Sequence, residues 1–371
     1  MNVLLAPDKF RGSLTARQVA DAMAEGVRLA APNAIVTQLP LADGGEGTAQ
    51  VLTDVTAGRW HTVTVSDPFG RPIEAGFGVS GDGQTAFVEM AQASGLALLD
   101  KRERDPGRAN TYGTGELILK AVEQGVGHVV LGIGGSATND GGVGMAAAFG
   151  WQFLNQKGEP LPPIGNYLAH IRQLVPPPAL PFANVKFFVA CDVDNPLCGP
   201  DGATRIYGPQ KGATPLQLLW LDHGLRNLAR LMREQFGVDV ADVPGAGAAG
   251  GLGAGALFFL NAQLRPGADV VLDAVDFDRR AAEATLILTG EGKLDRQTVQ
   301  GKLIKRLVER AGSTPVVALC GTLDLDPADL DALGLRAAFS VLTKPQSLDE
   351  AVQTAYADVR RATFTVCRLF S

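Results

Sequence analysis

The sequence is short of the residues that most readily announce a chemistry. Four cysteines stand among 371 residues, Cys191, Cys198, Cys320 and Cys367, and none forms a C-x-x-C pair. That spacing supports neither a zinc site nor a disulfide framework, and reduced thiols in a cytoplasmic protein are the simpler reading. The four histidines, His61, His128, His170 and His223, do not pair at metal-ligand spacing, so they read as structural or surface residues. No G-x-S-x-G elbow is present, which removes the α/β-hydrolase arrangement. No apolar run is long enough for a transmembrane helix, and the opening MNVLLAPDKF is broken too early for a signal peptide. Net charge is −6 with both signs mixed, so there is neither a basic footprint for nucleic acid nor a membrane-binding patch.

What the chain does have is apolar material and glycine: 46% hydrophobic residues and 45 glycines. Its length suggests two domains with large cores. Residues 2–6 read as a buried strand, Thr15 to Gln18 as a capping box, residues 19–30 as an amphipathic helix and 34–41 as a strand. The last ninety or so residues repeat this rhythm, with strands at 285–289, 315–320 and 337–342, a helix at 299–311 and a final helix capped at Ser347. Residues 60–100 suggest hairpins, 113–150 read helix, strand, glycine loop, helix, and the proline-rich 158–184 reads as a surface excursion. The implied fold is α/β. A Rossmann-like, doubly wound parallel sheet comes from both chain ends (1–58 plus 283–371). A second α/β domain (59–282) is inserted between them and carries the glycine-rich loop, with a cleft between the two.

Six predicted strands end in glycines and acids: APDKFRGS (6–13), ADGGEGT (42–48), GGSATNDGG (134–142), DVDNPL (192–197), GEGKLD (290–295) and GTLD (321–324). Ligands bind beyond the carboxyl ends of parallel strands. In LGIGGSATNDGGVGM (131–145) six of fifteen residues are glycine. A bare backbone leading to a helix N-terminus, with Ser136, Thr138 and Asn139 between the glycines, suits a phosphate group. No Gly-Lys-Ser/Thr follows, so it is not a P-loop. Gly132-x-Gly134-x-x-Ala137 resembles a dinucleotide fingerprint but lacks the ribose-binding acid downstream. The acids that could hold Mg²⁺ or position a hydroxyl are Asp43, Glu46, Asp192, Glu291 and Asp295. The basic candidates are Lys9, Arg11, Lys211, Lys293 and Lys302. The run GAGAAGGLGAG (245–255) precedes an apolar helix near Ala256, and reads equally as a second anion site or as close helix packing.

With these stretches in view, the chain resembles the bacterial glycerate kinase family, the group that includes the glycerate 2-kinases. The resemblance lies in APDKFRGSLTA (6–16), LADGGEGT (41–48), ANTYGTGELI (109–118), LGIGGSATNDGGVGM (131–145), ACDVDNPLCGP (190–200), GPQKGA (208–213), PGAGAAGGLGAG (244–255) and TGEGKLDRQTVQGK (289–302). It departs at Ile164, where a double glycine would be usual before Asn166, and in the tail TFTVCRLFS. The resemblance implies phosphorylation of D-glycerate with ATP and Mg²⁺, most often to 2-phosphoglycerate, with 3-phosphoglycerate the alternative. It also implies two α/β domains, one split by the other.

On that reading ATP phosphates lie along Gly134, Gly135, Ser136, Thr138, Asn139, Asp140 and Gly141, with Lys211 beside them. Mg²⁺ sits near Asp192, with Glu291 or Asp295 sharing it. Lys9, Ser13, Asp43 and Glu46 hold glycerate, and Asp192 or Asp295 is the general base. The partner is a small molecule, not nucleic acid or membrane, and the enzyme is a monomer or homodimer in the cytoplasm. An NAD-dependent oxidoreductase and a non-catalytic sensor are the competing readings.

Overall fold

The computed structural model of the chain describes residues 1–42, 44–295, 298 and 303–370. Two compact units emerge: Met1–Asp43 with Val271–Ser371, and Gly44–Val270. The chain begins with β1 (Asn2–Leu5), a helix (Ala16–Ala30) and β2 (Ile35–Gln38). The helix starts where the sequence predicts. Thr15 Oγ1 accepts from the Gln18 N–H, and Gln18 Oε1 accepts from the Thr15 N–H at 2.9 Å.

The second unit then supplies β3 (Arg59–Ser66), β4 (Pro72–Val79), β5 (Thr85–Glu89), β6 (His128–Gly132), β7 (Gln152–Leu154), β8 (Gln173–Val175), β9 (Lys186–Ala190) and β10 (Gln263–Arg265). The first unit resumes with β11 (Leu286–Leu294), β12 (Val316–Leu323) and β13 (Ala337–Ser340).

The first unit's sheet runs β13-β12-β11-β1-β2, and every neighbouring pair is parallel. The α/β reading with a parallel sheet from both chain ends therefore holds. One face of the sheet presents Val3, Leu5, Leu286, Leu288, Val317 and Leu319 to Val19, Met23 and Val27 of the first helix and to Val359 and Val366 of the last, Leu348–Cys367. The strand order reverses between β1 and β11. Such a switch point opens a crevice at the carboxyl ends of the strands.

The second unit's main sheet runs β10-β9-β6-β5-β4-β3. Its β3, β4 and β5 form the antiparallel hairpins read from the turns, while β5, β6, β9 and β10 are parallel. The boundaries at 43/44 and 270/271 fall earlier than the 58/59 and 282/283 read from sequence. The helix Thr48–Val55 packs on β4 and β5, with Ala49, Leu52 and Thr53 buried, so it goes with the second unit.

Two other expectations change. Residues 158–184 are not a surface excursion. They hold a 3₁₀ helix, Gly165–His170, and β8, which pairs with β7, and Leu168, Ile171, Leu174 and Phe182 are buried in the unit's core. Strands β11 and β12 run past the expected ends at 289 and 320, because Glu291, Lys293 and Leu294 stay paired with Cys320, Thr322 and Leu323. The predicted helix 299–311 is seen as Leu303–Arg310, and its start lies outside the described residues. Among the described residues no helix is long and apolar enough to cross a membrane.

Gly26 shows how tightly the first and last helices approach. A Cβ there would lie 2.5 Å from Arg360 O and 2.7 Å from Thr363 Cβ. Gly26→Ala gains about 1 kcal/mol of helix propensity, but forcing two backbones apart costs about 1–3 kcal/mol. A net loss is expected, read as a lower urea midpoint. A higher midpoint would show that the two helices separate freely.

Candidate active-site loops

In the first unit the switch point gathers two of the predicted loops. The Asp8 N–H donates to Gly290 O at 2.8 Å, and a Cβ at Gly292 would lie 3.2 Å from Arg11 N. The Lys9 N–H donates to the buried Asp8 carboxylate at 2.6 Å, which fixes the backbone from which the half-buried Lys9 extends. Ser13 Oγ donates to Phe10 O at 3.1 Å. Across the crevice Glu291 Oε1 accepts from Thr298 Oγ1 at 2.6 Å, and Asp295 pairs with Lys293 at 3.0 Å. Lys9, Ser13, Glu291 and Asp295 thus rise from the ends of two neighbouring strands. Glu291 stands on a strand and not in a loop, so its backbone is fixed by the β12 ladder. Lys302 and Asp43 lie outside the described residues.

In the second unit the carboxyl ends of β5, β6, β9 and β10 stand in a row. The exposed Asp192 follows β9, and its Oδ1 accepts from the Gly267 N–H, just beyond β10, at 2.7 Å. Gly44 closes on both: a Cβ there would lie 2.8 Å from Gly267 Cα and 3.3 Å from Asp192 Oδ2. With φ at +88° the position suits only glycine. Glu46 is exposed at the tip of the same loop.

The glycine loop differs from the sequence reading in one important respect. Its helix, Val143–Ala148, is short, and the first-turn donors are already taken. The Gly144 N–H donates to Asp140 Oδ2 at 3.1 Å and the Met145 N–H to Thr111 Oγ1 at 2.8 Å. Asp140 is fully buried and also accepts from the Thr111 N–H and Oγ1, both at 2.8 Å, and from the Gly142 N–H at 3.1 Å. These donors, which the sequence reading reserves for a phosphate, cap and brace the loop from within. Burial pushes the Asp140 carboxyl above its ordinary range, and the hydrogen bonds from Thr111, Gly142 and Gly144 pull it back.

The loop's exposed part is Gly134 and Gly135; Ser136 is nearly covered, and Thr138 and Asn139 are fully so. A Cβ at Gly134 would meet nothing within 4 Å, whereas one at Gly144 would lie 2.6 Å from Thr111 N. The first glycine faces open space and the other makes room for the Asp140 brace. Gly132, the first glycine of the apparent dinucleotide fingerprint, leaves room for Glu89, whose Cγ would lie 3.3 Å from a Cβ there. That packing accounts for the first glycine of the fingerprint. The run 245–255 packs closely on this loop: the Gly141 N–H donates to Gly250 O at 3.1 Å, and a Cβ at Gly250 would lie 2.0 Å from Thr138 O. Ala249, Gly250 and Gly251 are left-handed, so the helix expected near Ala256 is already regular from Leu252.

Lys211 is 2% exposed and donates to Ser136 Oγ at 2.6 Å and to Thr138 O at 2.7 Å. Its place between turn residues suggested a phosphate contact; in the structure it tethers the loop internally. Burial pushes its ammonium down to about 7, against the opposing pull of Asp140. The neutral amine keeps two N–H groups and so can hold both bonds. Thr138 Oγ1 and Asn139 Nδ2 are buried without a hydrogen-bond partner, a shortfall that marks a place for a further polar group.

Two braces, Glu89 and Thr111, are absent from the residues read from sequence. Thr111 starts the helix Tyr112–Val122 and carries no strand-end signal. Glu89 does end a strand. It escaped because β5 reads as the last strand of a hairpin, although it also pairs in parallel with β6.

The model of the glycerate kinase family matches residues 3–371. A glycerate kinase of Halalkalibacterium halodurans is 46% identical over 355 residues, covering 95% of this chain and 93% of the relative. The glycerate 2-kinase of Escherichia coli K12 is 42% identical over 365 residues, 98% of this chain and 96% of the relative. A crystal structure from Salmonella typhimurium LT2 that carries the name glycerate kinase 2 superposes with a TM-score of 0.91 at 41% identity, over 100% of this chain and 98% of that one.

The Lys211 environment makes a stability prediction. Between about 7 and the ordinary value of 10.5 the unfolded chain binds a proton at this lysine that the folded chain does not. Stability therefore rises with pH across that window. Lys211→Met should remove this rise, measured as urea unfolding free energy at pH 7 and pH 10. An unchanged slope in the variant would assign it to other groups.

Proposed function

The chain belongs to the glycerate kinase family, and from that premise we propose that it transfers the γ-phosphoryl group of ATP to D-glycerate, with Mg²⁺, to give 2-phosphoglycerate. The observation that carries this reading is similarity along the whole chain to a protein named glycerate 2-kinase, at 42% identity over 98% of the residues. A cytoplasmic monomer or homodimer belongs to the same proposal, in keeping with four free cysteines.

The proposed roles match the chemistry of each side chain. Gly134 and Gly135 offer exposed backbone to ATP phosphate. Ser136 Oγ, which accepts from Lys211, keeps its own proton to donate there. Thr138, Asn139, Asp140, Gly141 and Lys211 shape the loop from behind. The Lys9 ammonium pairs with the glycerate carboxylate, and Ser13, Asp43 and Glu46 bind its hydroxyls. Asp192 or Asp295 accepts the proton of the reacting hydroxyl as its oxygen bonds to the γ-phosphorus and the bond to ADP breaks.

Magnesium takes oxygen ligands, retains water and needs only one or two protein carboxylates beside substrate phosphate. Asp192, Glu291 and Asp295 each offer carboxylate oxygens of the kind that demand calls for. Among the described residues no group of three or more His, Cys, Asp or Glu converges as a dedicated protein cage. Bound there, the ion would neutralise charge on the phosphate oxygens.

Two measurements test this. ADP release coupled to NADH oxidation should depend on D-glycerate, ATP and Mg²⁺ together, and phosphorus NMR should show the 2-phosphate. A 3-phosphate product would keep the kinase and overturn the regiochemistry. Replacing the true base, as Asp192→Asn or Asp295→Asn, should lower kcat by about a hundredfold. If neither falls tenfold, the proton acceptor is elsewhere.

A further inference from the structure

Glu89 ends β5 at 4% exposure. Its Oε2 accepts from the Gly47 N–H at 3.1 Å and its Oε1 from the Ala49 N–H at 2.7 Å. These amides belong to the N-cap and second residue of the helix Thr48–Val55, which directly follows the LADGGEGT loop. The helix has no side-chain cap of its own, since Gly47 stands at the N-cap. Glu89 therefore supplies in trans what Ser, Thr or Asp supplies elsewhere, and its charge opposes the positive end of the helix dipole. The same side chain packs against Gly132, where β6 passes into the glycine loop, and the Gly44 carbonyl oxygen lies 3.8 Å from a Cβ built on Gly132. One buried side chain thus binds the loop that carries Glu46 through its carboxylate and lies beside the strand that feeds Gly134 through its Cγ.

We propose that Glu89 is a positioning residue: it sets the 44–47 loop against the carboxyl end of β6 and so governs how tightly the enzyme holds glycerate, without touching substrate. This rests on the assignment of Glu46 to glycerate binding. The carboxylate is needed because both contacts are acceptors for N–H groups. A glutamine keeps one carbonyl oxygen and turns an NH₂ toward the second donor.

The test is Glu89→Gln, with steady-state kinetics for both substrates and amide hydrogen exchange at Gly47 and Ala49. Exchange at both amides should quicken, and KM for D-glycerate should rise at least tenfold while KM for ATP stays within about twofold. Unchanged exchange, or equal rises in both KM values, overturns the positioning role. Faster exchange with a rise confined to KM for ATP overturns the assignment of this loop to glycerate, and with it the inference. Glu89→Asp keeps the charge but withdraws the carboxylate by one methylene, and the same criteria apply to it should Glu89→Gln fail to fold.

Discussion

A carboxylate removed from water persists only where donors surround it. In the second unit that carboxylate is Asp140, and four hydrogen bonds converge on it from Thr111, Gly142 and Gly144. The arrangement explains several features together. It caps the helix that follows the glycine loop, joins that loop to the start of the helix Tyr112–Val122, and leaves no room for a side chain at residue 144. Lys211 completes the brace from the other side through Ser136 and Thr138. The loop is therefore held by buried, hydrogen-bonded polar side chains, and of its residues only Gly134 and Gly135 remain at the surface.

This division changes what a glycine-rich stretch means. Glycines at 132, 142 and 144 make room for Glu89, for Gly255 and for the Asp140 brace. The phosphate contact proposed above falls on the short segment whose backbone is exposed. A loop fixed in this way offers its donors without first being ordered by the ligand. That lowers the entropic cost of binding and keeps the donors in place as charge develops in the transition state.

Much of the architecture could be read from the chain because local signals and tertiary packing agree. Thr15 and Ser347 cap their helices as their spacing predicts, and the alternation at both chain ends does build one parallel sheet. The errors arose where a residue's partner is distant in sequence. Glycines in GEGKL suggested that the strand ends at 289, yet the segment continues as strand because β12 pairs alongside it. Prolines in 158–184 hid a buried segment that β7 and the helix Pro215–Phe236 cover. Lys211 read as a phosphate contact because nothing in GPQKGA reveals that Ser136, 75 positions away, receives it. Glu89 lies outside every quoted motif and Thr111 inside one with no role assigned to it, so their action on backbone amides becomes visible only in three dimensions.

The central claim is that internal braces hold the glycine loop so that Gly134 to Ser136 receive phosphate. Amide hydrogen exchange tests it most directly, with and without a non-hydrolysable ATP analogue and Mg²⁺. Binding should slow exchange across residues 133–137 and leave 248–255 unchanged, since the latter is a packing surface. Protection at 248–255 with none at 133–137 would contradict the account and move the phosphate site to the second glycine run.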